Sequence, residues 1–77
     1  MDNDDADLDR MQAAYKAAVD AWVAAIRAEE ALASVDHTVA QVDKWEQADF
    51  AAEAARHKAR EAKKEYESAL RKRFYGF

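Results

Sequence analysis

The 77-residue sequence has no cysteine and no proline, and its single glycine is Gly76. Without cysteine there is no disulfide framework and no thiolate zinc site. Turn-rich β and α/β folds draw on Gly, Pro and Asn. Here that supply is Gly76 and one asparagine, Asn3. A phosphate-cradling loop needs several glycines, so the common nucleotide-binding motifs are excluded. No stretch approaches the roughly 18 consecutive apolar residues of a membrane span. The opening Met1-Asp2-Asn3-Asp4-Asp5 is acidic, whereas a secretory signal starts basic and then runs apolar. A cytoplasmic location, with no membrane contact, is the expectation.

What the chain does have is alanine and charge. Alanine supplies 20 of the 39 hydrophobic residues, and charged residues make up 36% of the chain, for a net charge of −4. A chain this short and this rich in small side chains buries a limited area, so association is a natural remedy. The charge is segregated. Residues 1–55 carry 13 acids and four bases, while residues 56–77 carry eight bases and three acids. The acidic balance gives the chain no general attraction to nucleic acid.

Two long periodic segments account for nearly all of the sequence. In the first, Leu8, Met11, Tyr15, Ala18, Trp22, Ala25, Glu29 and Leu32 recur at spacings of three and four. That is the a/d seam of a heptad pattern. In the second, the seam is Trp45, Ala48, Ala52, Ala55, Ala59, Ala62, Tyr66 and Ala69. Between them, Ser34-Val35-Asp36-His37-Thr38 is a run of poor helix formers. Thr38 with Gln41 reads as a capping box that opens a second helix. Gly76 is placed to stop it. The expectation is one helical-hairpin domain over 1–77, with a helix at about 5–34, a turn at about 35–38 and a helix at about 39–75. The competing arrangement is a single helix of about 70 residues, roughly 105 Å long, which needs a partner along its whole length.

An antiparallel hairpin suits these residues. Folding at 36 or 37 brings Leu8 to Tyr66, Met11 to Ala62, Tyr15 to Ala59, Ala18 to Ala55, Trp22 to Ala52, Ala25 to Ala48 and Glu29 to Trp45. Most large residues then face a small one, as interdigitated packing requires. The acidic start of the first helix also lies beside the basic end of the second. Apolar residues are left over. Val19, Val23 and Ile26 lie beside the first seam, and Val39, Val42, Phe50, Leu70 and Phe74 lie off the second. A stripe of this kind marks an association surface, and two hairpins forming a four-helix bundle would cover it. The residues assigned to that surface are Val19, Val23, Ile26, Val42 and Phe50. The fold expected is therefore all-α: an antiparallel two-helix hairpin that dimerises.

Each candidate site has a plain structural alternative. Glu29 lies in the seam, where a carboxylate can bind a metal or set register. The preferred reading puts it at the open loop end, within reach of the Trp45 indole. Glu53, His57 and Glu61 share a helix face at ligand spacing, but the Glu-x-x-His pattern of di-metal bundles is absent. A solvated face is the preferred reading. His37 falls in the turn. The bases Arg56, Lys58, Arg60, Lys63, Lys64, Arg71, Lys72 and Arg73 spread around most of their helix, unlike a one-sided nucleic-acid footprint. Trp22, Trp45, Tyr15 and Tyr66 recur at seam spacing, which reads as core rather than a cofactor slot. Phe74, Tyr75 and Phe77 form an aromatic tail that either caps the bundle or docks into a partner. Ser34, Thr38 and Ser68 are the only hydroxyl candidates besides tyrosine, two of them at the expected turn, and no constellation supports acyl or phosphoryl transfer.

The functional expectation is a small, non-enzymatic interaction protein, an adaptor or regulator without cofactor or metal. Its first partner is a second copy of itself, and a heterologous helical protein is the second partner class. The alternatives are a nucleic-acid-binding regulator that uses the basic half of the second helix, and a carboxylate/His metal-binding bundle.

Overall fold

Alanine is the strongest helix former, and nothing between residues 5 and 31 or between 42 and 75 breaks a helix. The computed structural model describes residues 2–34 and 39–76, with side chains for 5–33 and 42–76. Helix α1 spans Asp2–Ala31 and continues into a short 3-10 turn at Leu32–Ser34. Helix α2 spans Val39–Tyr75. Among the described residues there is no strand. The two helices pack against each other along their length, and the molecule measures 57 × 18 × 12 Å. No described helix is long and apolar enough to cross a membrane.

The helix ends follow from local chemistry. Gly76 takes φ +80° and its N–H donates to the Lys72 carbonyl at 3.2 Å. That is a left-handed cap closing α2, a conformation only glycine adopts cheaply. Lys72 and Arg73 occupy the last turn, where positive charge suits the helix dipole. Helix α1 starts earlier than the expected residue 5, because no Gly or Pro precedes it, and its last expected turn tightens to 3-10. The Thr38–Gln41 capping box, His37, the Val39 side chain and Phe77 lie outside the described residues.

All eight seam residues of the first segment, from Leu8 to Leu32, are partly covered by α2. In α2, Ala59 and Ala52 are the two buried residues, at 3% and 7% exposure. Ala48, Ala55, Ala62, Tyr66 and Ala69 are half-buried beside them. Trp45 departs from the expected core and stays 43% exposed.

The register also differs from the expected one. Asp5 meets Arg73 at 3.2 Å, and Glu29 shares a hydrogen bond with Asp49. Both pairs have numbers adding to 78, not 73 or 74. Continued along the seams, this brings Ala18 level with Ala59, Ala25 with Ala52, and Tyr15 with Ala62. Trp22 falls level with Ala55, and Trp45 with Leu32 rather than Glu29. The cause is the periodicity itself. Sliding one seam by one position keeps every seam residue opposite another, so the pattern alone does not select the step. This step sets alanine level with alanine in two layers, which lets the helix axes approach toward the short end of the usual 8–10 Å spacing.

Ala59→Leu should therefore wedge the helices apart and cost about 1–3 kcal/mol. Ala51→Leu, at an exposed position of α2, should stay within about 0.5 kcal/mol. Denaturant unfolding at fixed protein concentration compares the two. Equal effects would contradict the tight alanine seam.

Candidate functional site

Successive helical residues are turned by 100°. The position one residue after each seam residue therefore forms a second stripe, a quarter-turn or so round. In α1 this stripe is Gln12, Lys16, Val19, Val23, Ile26 and Glu30. In α2 its central part is Glu46, Asp49, Glu53, Arg56, Arg60 and Lys63, with Val42 before and Glu67 and Leu70 after. Viewed from one end, residues of antiparallel helices advance in opposite rotational senses. Stripes displaced in the same sense from facing seams therefore lie on the same side of the hairpin.

Val19 is half-buried on this side, while Val23 and Ile26 are 41% and 43% exposed. Val42 joins them from α2 and is more exposed still. Four of the five residues assigned to the association surface therefore share one side. Phe50 does not. It lies two residues from both Ala48 and Ala52, about 200° round the helix from each, and is 75% exposed. It faces away from α1 and belongs to a different surface. Phe74 and Tyr75 are exposed at the far end of α2, and the Arg73 guanidinium lies 6.0 Å from the Phe74 ring centroid.

An acidic cluster sits at the edge of the apolar patch. Glu29 is half-buried in the seam, with Asp49 and Glu53 reaching it from α2. Burial is the first cause holding the Glu29 carboxyl above its ordinary value. The negative charge of Asp49, a hydrogen bond to Asp49 and the charge of Glu53 add to it. When protonated, Glu29 donates to the Asp49 carboxylate. The partner expected for Glu29, the Trp45 indole, is thus replaced by a second carboxyl. Neither Asp49 nor this pairing was visible without the register.

The other candidate groups are solvated. Glu53 accepts from Arg56 at 3.2 Å, and His57 Nε2 lies 4.0 Å from Glu61. Arg10 pairs with Asp7 on α1. Among the described residues, no three His, Asp or Glu side chains converge as metal ligands. The bases from Arg56 to Arg73 are all exposed and wind around α2 without forming one face. Tyr15, Trp22 and Tyr66 are half-buried between the helices. Near the open end, shallow grooves run between Leu8 and Met11 on α1 and Ala69 and Lys72 on α2. Comparison with protein families, curated proteins and solved structures gives no match to this chain.

The raised Glu29 carboxyl fixes a pH dependence. Its proton is held more tightly in the folded chain than in the unfolded one. The stability tied to it is therefore full below the ordinary value of 4.5 and is lost as the pH rises through the raised one. Glu29→Gln imitates the protonated form. It should raise the melting temperature at pH 7, and its advantage over the wild type should shrink as the pH falls through the raised value and be gone below 4.5. An advantage that stays constant across this range would remove Glu29 as the titrating group.

Proposed function

We propose that this protein is a small, non-enzymatic interaction module of the coiled-coil kind, an adaptor or regulator inside the cell. Its working surface is the side of the hairpin that carries Val19, Val23, Ile26 and Val42. Its first partner is a second copy of the chain, giving a four-helix bundle, and it takes no cofactor or metal. The observation that carries this reading is that four branched apolar side chains share one side of a two-layer structure with no third layer to cover them. Branched side chains left together on one side mark an association surface more than scattered single ones do. Phe74 and Tyr75 offer a second contact at the open end, suited to a heterologous helical partner.

Light scattering coupled to gel filtration, across a dilution series, tests this. The expected mass is twice the 8.7 kDa of the chain. Val23→Asp should shift the protein to monomer while its helical circular dichroism is retained, because Val23 lies outside the intramolecular seam. A wild type that stays monomeric and folded at every concentration would overturn self-association. A Val23→Asp variant that dimerises as well as the wild type would place the interface elsewhere.

A further inference from the structure

The exposed side of the hairpin carries information about orientation as well as association. Resting on the self-association reading above, we propose that two copies pair antiparallel, about a two-fold axis that crosses α1 at Val23 and runs perpendicular to the helices. In this arrangement α1 lies on the partner's α1, and α2 on the partner's α2.

The stripe of α1 is self-complementary about its middle. Val23 lies opposite the partner's Val23, and Val19 opposite the partner's Ile26. Lys16 lies opposite the partner's Glu30; the last two pairings occur twice, and the Val23 pair, on the axis, once. The numbers in every pair add to 45 or 46. An apolar centre with one opposite-charge pair at each end is the pattern of a compact helix–helix interface.

The stripe of α2 shows the same symmetry independently. Its acids Glu46, Asp49 and Glu53 precede its bases Arg56, Arg60 and Lys63. Laid antiparallel on itself, Glu46 meets the partner's Lys63, Asp49 meets the partner's Arg60, and Glu53 meets the partner's Arg56. All three pairs add to 109, and beyond them Val42 meets the partner's Glu67, the one pair of the stripe that is not complementary. The six side chains are exposed in the single hairpin.

The two stripes also agree on where the axis passes. The α1 pattern centres on residues 22.5–23, and the α2 pattern on 54.5. The register within the hairpin, fixed by Asp5–Arg73 and Glu29–Asp49, puts those two heights level to within about one residue, or 1.5 Å. Three observations that do not depend on one another thus meet at one axis.

The parallel arrangement fares badly on the same residues. A two-fold axis along the helices would lay the α1 stripe on the partner's α2 stripe at equal height. Lys16 would then face the partner's Lys63, and Glu30 the partner's Asp49. Val19 and Val23 would face the partner's Arg60 and Arg56. Two like-charge contacts and two valines set against guanidinium groups, where the antiparallel arrangement has opposite-charge pairs and one valine against a carboxylate, disfavour this pairing. The hairpin side, 57 Å long and 18 Å wide, is large enough for the roughly 800 Å² per partner of an ordinary stable interface.

The test uses residues that do not reach each other within one chain. Lys16 and Glu30 are 14 residues apart, about 21 Å along α1. Lys16→Glu and Glu30→Lys should each weaken the dimer about three- to thirty-fold, and less so in high salt. The double swap should restore the wild-type constant to within about two-fold, which only an intermolecular pair explains. The chain has no cysteine, so Val23→Cys introduces one thiol at the axis. On oxidation it should form a disulfide-linked dimer, whereas Phe50→Cys, on the far surface, should not. A dimer that the double swap does not restore, or in which mixed Val23→Cys and Arg56→Cys chains cross-link preferentially, overturns the antiparallel arrangement and leaves self-association standing. A folded monomer at every concentration overturns both.

Discussion

The close contact of α1 and α2 through alanine sets the rest of the molecule. Ala18, Ala25, Ala52 and Ala59 leave little between the helix axes, and the larger Tyr15 and Trp22 are accommodated because Ala62 and Ala55 lie level with them. Alanine gives up almost no side-chain entropy on burial. The seam is therefore inexpensive to order, but it also buries little apolar area per residue. The consequence is a thin structure, 12 Å in its smallest dimension, which leaves Val23, Ile26 and Val42 exposed.

This division of labour explains how much the sequence disclosed. The two seams were legible because their three-and-four spacing is the direct imprint of helical geometry, and every residue of the first is covered. The division into two helices was legible from helix propensity, and the stop at Gly76 from backbone freedom. The relative height of the helices was not. A heptad pattern looks the same after a slide of one seam position, and only long-range pairs such as Asp5–Arg73 tell one step from the next.

The same gap hid part of the candidate surface. Val19, Val23, Ile26 and Val42 could be assigned to one side because each is displaced in the same sense from its seam. Phe50 was grouped with them by hydrophobicity alone, although two residues from a seam position is nearly the opposite side of a helix. Glu29 was correctly placed between the helices. Its partner depended on register, so a carboxyl pair took the place of a carboxyl–indole contact.

The Asp5–Arg73 contact closes the open end of the hairpin and brings the beginning and end of the described chain within the span of one ion pair. Nearly all the polypeptide goes out along one helix and back along the other, finishing where it started. Mechanically the hairpin is a closed lever: tension applied between its ends pulls α1 and α2 apart like a zip, one alanine layer at a time. A pull applied along its length loads every layer at once. The same contacts are weak in the first direction and strong in the second.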